Sequence, residues 1–263
     1  MREKKGRMNK LEELFKRKNN NLLSIYFTAG HPEADSTVKV IKALEKAGVD
    51  FVEVGMPFSD PLADGPTIQR SSEIALRNGM NLDRYFEALE SVKDEVALPL
   101  VAMGYVNQMM RYGEERFLKR CSEAGISGLI LPDLPLKVYE KDYRSLFERY
   151  GLVNIFLITP QTTPERIRQI DAASRAFIYM VSSSSTTGAK NEIEKEQLDY
   201  FKRVQSMNLN NPLIIGFGIS NRVTFENACR FASGAIIGSA FVKALEKSAS
   251  ESAILEFVRS IRA

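Results

Sequence analysis

A single glutamate interrupts the apolar run FVEV at 51–54, and the loop that follows, GMPFSDPLADGPT, brings Asp60 and Asp64 close behind it in the chain. A carboxylate flanked by Val52 and Val54 in an extended segment lies on the opposite face from both valines. If the valines face a helical layer, Glu53 points into the interior, where a carboxyl group needs either a partner or a raised pKa. Both conditions suit proton transfer. Pro57, Pro61 and Pro66 stiffen the loop, so its carboxylates are presented on a segment of limited freedom. Asp60, immediately before Pro61, reads equally well as a turn residue or a contact residue. Asp64 reads as a substrate contact, because three nearby acids exceed what one turn requires.

A second group of candidates lies toward the other end of the chain. GFGIS (216–220) follows one apolar run and GSA (238–240) follows the next. Glycines such as Gly218 and Gly238 let backbone N–H groups approach phosphate oxygens, and Ser239 adds a hydroxyl donor. STTG (185–188), with Thr187 and Gly188, offers further donors. Tyr26, Met103, Ile130, Leu157, Tyr179 and Phe217 sit near the ends of separate apolar runs and together outline walls for a flat aromatic group. GYVNQMMRYG (104–113) reads as a loop with Tyr105, Met109 and Met110 exposed, either a partner surface or a packed loop.

These residues must be positioned by the elements that carry them. Short apolar runs at 23–28, 51–54, 99–103, 128–131, 154–158, 177–181, 213–217 and 235–237 are rich in β-branched and aromatic residues. Each is nearly continuous in hydrophobicity, as a parallel strand covered on both faces should be. Amphipathic stretches alternate with them: Val38, Ile41, Leu44 and Ala47 recur at three-residue steps before Gly48. Similar patterns lie at 82–95, 114–124, 136–150, 164–173, 192–207 and 222–231. Eight strands alternating with helices predict a single-domain α/β fold, a (β/α)8 TIM barrel. The first run lacks a following G-x-G-x-x-G, which argues against an open dinucleotide-binding sheet. Leu11–Lys18 adds an N-terminal helix that plugs the bottom of the barrel. Residues 1–7 read as a tail or cloning remnant and 8–263 as the barrel. Placing the best candidates at strand ends matches where such barrels do their chemistry.

Composition narrows the classes. The net charge is +3, yet residues 1–20 hold eight Lys/Arg and three Glu, a net of +5, so the rest of the chain is −2. The body therefore shows no basic groove for nucleic acid. Two cysteines and one histidine leave no disulfide framework, no zinc site and no multi-histidine metal centre. No apolar run approaches a membrane span and Leu11–Phe15 is too short for a signal peptide core, which predicts a cytoplasmic protein.

FTAGHP (27–32), VEVGMPFSDPLADGPTIQ (52–69), LPDLP (131–135), STTGA and GFGIS together resemble the tryptophan synthase alpha chain family, in order along the chain from about Met8. The resemblance implies a TIM barrel lyase that cleaves indole-3-glycerol phosphate to indole and glyceraldehyde 3-phosphate in tryptophan biosynthesis. By the same resemblance Glu53 matches the family's catalytic glutamate and Asp64 its catalytic aspartate. Gly188, Gly218, Gly238 and Ser239 match its phosphate-binding positions, and Tyr179 and Thr187 match residues of the indole pocket and its closing loop. Tyr26 and Pro132 stand where the family's pocket wall carries Phe and Ala, and the stretch after Gly188 is shorter than in the family. The resemblance further implies a pyridoxal-phosphate beta chain as partner in an alpha2beta2 heterotetramer, with no cofactor or metal in the alpha chain itself. Other readings of the residues are a different phosphate-binding barrel, such as an isomerase or epimerase, and a non-catalytic activator of a beta chain.

Overall fold

The structure, a computed structural model, describes residues 9–61, 63–181, 195–216 and 218–262. Within them the strands are β1 (Leu22–Thr28), β2 (Phe51–Gly55), β3 (Leu100–Met103), β4 (Ile126–Ile130), β5 (Val153–Ile155), β6 (Leu157–Ile158), β7 (Ile178–Val181), β8 (Leu213–Gly216) and β9 (Gly234–Ile237). All neighbours pair in parallel, in the order β5-β4-β3-β2-β1-β9-β8-β7-β6. Only Phe156 separates β5 from β6; its ring turns outward onto Tyr139, with centroids 5.2 Å apart. The two short strands are thus halves of one, expected at 154–158, and the sheet closes into the eight-stranded barrel.

Strand alternation divides the core into two nested clusters. Val52 and Val54 of β2 pack outward with Phe27, Ala102, Leu129, Met180 and Ile215 against the helices. Phe51, Val101, Ile130, Ile155, Tyr179 and Ile214 turn inward. The inward set is apolar and β-branched or aromatic, as a filled barrel interior requires.

The N-terminal helix Lys10–Arg17 stoppers the lower end. Leu11, Leu14 and Phe15, at i, i+3 and i+4, form its buried stripe. Phe15 meets Phe51 and Phe177, with ring centroids 5.9 and 5.2 Å away, and those two rings are 5.4 Å from each other. Asn9 caps the helix by accepting from the Leu11 amide at 2.9 Å. Its amide nitrogen also donates to the carbonyls of Ser127 (2.6 Å) and Gly151 (2.8 Å), fixing the plug to the barrel rim. The tail at 1–7 lies outside the described residues.

Helices occupy the expected stretches with shifted ends, including Ser36–Lys46, Leu82–Val92, Glu114–Glu123 and Pro164–Ala173. The stretch at 136–150 is helical but contains a π-helical turn at Tyr139–Tyr143. Four further helices, Pro66–Arg77, Val106–Tyr112, Ser239–Lys247 and Glu251–Arg262, were not anticipated from the sequence. Among the described residues no helix is long and apolar enough to cross a membrane.

Candidate active site

Glu53 lies inside the barrel. On β2 it stands between outward-facing Val52 and Val54, and it is 1 % exposed. Neither carboxyl oxygen has a hydrogen-bond partner among the described residues. Burial without compensation disfavours the charged form and pushes its pKa up to about 8. A carboxylic acid in such a place is protonated at neutral pH and available as a proton donor.

Asp64 reaches the same region from the loop above β2. Burial raises its pKa, opposed by the hydrogen bond that Tyr105 donates to Oδ2 at 3.1 Å. The Asp64 carbonyl accepts from Gln69 Nε2 at 2.8 Å, and Gly65 then opens the helix Pro66–Arg77, with proline in its first turn. Asp60, by contrast, is exposed and accepts from its neighbour Ser59. Its environment is that of a turn residue.

The segment after β3 departs from expectation. Tyr105 is 4 % exposed and Met109 fully buried; of the three residues expected at the surface, Met110 alone faces solvent. The segment forms the helix Val106–Tyr112, whose first amide donates to both carboxylate oxygens of Asp133 from the LPDLP motif (3.0 and 3.2 Å). Gln108 accepts the Tyr105 amide at 3.0 Å and donates to the Pro57 carbonyl at 3.0 Å. The Phe58 ring packs on Tyr105, with centroids 5.2 Å apart. This helix therefore braces the Asp64 loop from the side. Sequence reading missed the contact of Tyr105 with Asp64; its signal was a tyrosine two residues after a strand end.

Two tyrosines form the floor and wall around the acids. Tyr26 of β1 is the register partner of Glu53. Its hydroxyl lies against Gly55, where a Cβ would stand 2.2 Å from the oxygen, and its ring passes beside Gly238. Tyr179 of β7 presses on Gly216 so closely that a Cβ there would fall 2.0 Å from the hydroxyl. Small residues at 55 and 216 are therefore required to seat these rings. Desolvation, reinforced by the charges of Glu53 and Asp64, raises both phenols well above their ordinary range. Met103, Ile130 and Leu157 join Tyr26 and Tyr179 in the interior cluster. Phe217 lies outside the described residues, as do Thr187 and Gly188. A separate cavity beneath Pro132 and Asp133 shares Leu157 but does not include either acid.

Beyond β8 and β9 two helices begin near the same rim. Asn221 caps Arg222–Cys229 by accepting the Thr224 amide at 3.0 Å. The helix Ser239–Lys247 starts from Gly238 and has no side-chain cap among the described residues. Ser239 is exposed at this end, and Gly218 has φ +77°, a conformation that suits glycine.

Known proteins of one family match the chain along nearly its whole length. The family model described as "Tryptophan synthase alpha chain" matches residues 12–260. The tryptophan synthase alpha chain of Flavobacterium johnsoniae is 56% identical over 241 residues, covering 92% of this chain and 95% of that one. That of Flavobacterium psychrophilum is 52% identical over 254 residues, covering 97% and 100%. Among solved structures, Mycobacterium tuberculosis tryptophan synthase superposes with a TM-score of 0.86 at 32% identity, covering 97% of each chain. The alpha subunit from Legionella pneumophila gives a TM-score of 0.86 at 30% identity, covering 97% and 98%. With inward-facing acids at the mouth of a plugged barrel and relatives of this closeness along nearly its whole length, the chain belongs to the tryptophan synthase alpha chain family.

Proposed function

We propose that Glu53 and Asp64 carry out in this chain the reaction of its family, the cleavage of indole-3-glycerol phosphate to indole and glyceraldehyde 3-phosphate. Indole is a poor leaving carbanion, so the carbon–carbon bond breaks only once ring C3 is protonated. Glu53 donates that proton, making an indolenine-like cation. It then takes the proton of the glycerol hydroxyl next to the bond. As the bond breaks, its electron pair returns to the ring and the former hydroxyl carbon becomes the aldehyde. Asp64 accepts a hydrogen bond from the ring N–H and stabilises the positive charge that develops there. Gly188, Gly218, Gly238 and Ser239 grip the phosphate through backbone and hydroxyl donors, supplying remote binding energy that orients the ring. Tyr26, Met103, Ile130, Leu157, Tyr179, Thr187 and Phe217 enclose the indole.

The observation that carries this reading is the inward, unpartnered Glu53 carboxyl, kept neutral by burial up to about pH 8. A general acid at neutral pH needs that state, and an ion-paired structural carboxylate would not have it. The uncapped helix start at Gly238 supports the phosphate assignment in the same way. We further read residues 8–263 as one catalytic domain preceded by a tail at 1–7, working in the cytoplasm without a cofactor of its own. Its partner is a pyridoxal-phosphate beta chain, bound as an alpha2beta2 heterotetramer that consumes the indole.

The test is Glu53→Gln. Calorimetry should show an indole-propyl phosphate ligand binding as in wild type, while indole release falls by about a thousandfold or more. Near-normal turnover in this variant would reject the assignment.

A further inference from the structure

The hydroxyl of Tyr26 opens a buried chain of hydroxyl groups that leads away from the acids. Tyr26 Oη lies 3.3 Å from Thr28 Oγ1, and Thr28 Oγ1 lies 2.6 Å from Ser71 Oγ. Ser71 Oγ in turn donates to the Ile68 carbonyl at 2.8 Å. Thr28 and Ser71 are completely buried, so no solvent competes for these bonds.

The direction of the chain follows from counting protons. Each hydroxyl carries one. Ser71 spends its proton on a carbonyl, which can only accept, so Ser71 must accept from Thr28. Thr28 has then spent its own proton and must accept from Tyr26. The phenol proton is therefore turned toward Thr28, and the oxygen lone pair is what remains for the catalytic cavity. A phenol O–H prefers the ring plane, so the alternative to this orientation points the other way across the ring.

The surroundings make that choice matter. The ionisable groups whose charges act on Tyr26 are Glu53 from β2, Asp64 from the loop above it, Tyr105 after β3, Tyr179 from β7 and Tyr85 from the helix Leu82–Val92. All are acids, and a donor turned toward the carboxyls would favour their ionised forms. The relay also ties β1, beside Glu53, to the helix Pro66–Arg77, whose N-cap Gly65 directly follows Asp64.

Resting on the assignment of Glu53 as the proton donor, we propose that Tyr26, Thr28 and Ser71 form a positioning relay. The relay holds the phenol proton away from the acids and so keeps Glu53 in its proton-donating form.

Thr28→Val keeps the shape of the side chain and removes the acceptor, freeing the Tyr26 proton to face the carboxyls. Ser71→Ala acts at the other end: Thr28 loses its acceptor and turns its proton to the Tyr26 oxygen, with the same result. Alanine suits the helix at position 71, so this variant tests the relay even if Thr28→Val folds poorly. In both variants the alkaline limb of kcat/KM for indole-3-glycerol phosphate cleavage should move down by about half a unit. In a Tyr26→Phe background, Thr28→Val should move it no further. Carboxyl-labelled NMR of Glu53 should show the same fall in its titration midpoint, whether or not the chain turns over. A wild-type chain that fails to cleave would strike the assignment of Glu53, with the NMR titration still deciding the relay. Superimposable titrations in wild type, Thr28→Val and Ser71→Ala, or a shift that persists without the Tyr26 hydroxyl, would overturn it.

Discussion

Tyr105 ties down Asp64 twice over: its hydroxyl donates to Asp64 Oδ2 at 3.1 Å and accepts the amide of Ala63 at 3.1 Å. One phenol thus fixes both the carboxylate and the backbone beside it. Tyr105→Phe keeps the packing on Phe58 and removes both bonds. A hydrogen bond to a charged group contributes about 1.5–3 kcal/mol, so kcat/KM should fall by about tenfold or more. Because the bond from Tyr105 lowers the pKa of Asp64, its loss should also move the acid limb of the profile to higher pH. Steady-state kinetics across pH 5–9 measure both effects.

Substitution of Asp64 itself separates chemistry from fold. Asp64→Asn keeps the size of the side chain but cannot balance a positive charge on the ring. Turnover should fall by about a hundredfold or more while the thermal melt stays close to wild type. Parallel assays of indole release and circular dichroism decide it.

The buried Glu53 makes stability depend on pH in an unusual sense for a carboxyl. Its pKa is raised from 4.5 to about 8 on folding. Below the unfolded value both states hold the proton and nothing is lost. As pH rises toward 8 the unfolded chain ionises while the folded one resists, so stability declines across that window. A shift of this size corresponds to a penalty on the order of 4–5 kcal/mol once the window is crossed. Glu53→Gln removes the titration. Urea unfolding at pH 5 and pH 9 should show the variant gaining on wild type at the higher pH, whereas parallel pH dependences would contradict the burial account.

The plug helix offers a stability test remote from the chemistry. Phe15 fills the space between Phe51 and Phe177. Phe15→Ala should cost about 3–5 kcal/mol in chemical denaturation. The folded fraction should still release indole, because Phe15 touches the bottom of the barrel and the acids face its mouth.

The barrel and the direction of Glu53 were legible because hydrophobic alternation is a strong local signal. Val52 and Val54 mark the outer face, and the odd residue between them had to turn in. The helix Pro66–Arg77 was hidden because Asp64–Gly65–Pro66 reads as a turn, although proline suits the first position of a helix. Val106–Tyr112 was hidden because it is short and bounded by glycines, and its first amide is held by Asp133, twenty-seven residues further along the chain. Tyr105 was read as exposed for the same reason: its burial depends on Phe58 and Ala63 folding over it. The break at Phe156 rests on a contact with Tyr139 that no local pattern announces. The relay from Tyr26 joins residues 43 positions apart at Thr28 and Ser71 and is equally invisible in sequence.

The aromatic stopper formed by Phe15, Phe51 and Phe177 fills the lower end of the vessel. Glu53 sits two residues beyond Phe51 on the same strand, roughly 7 Å above the stopper. On the proposed function, cargo reaches Glu53 from the side of the loops that crown the strands, away from the stopper. On the same reading, a receiver for the aromatic fragment docks on the crown side, opposite the three rings.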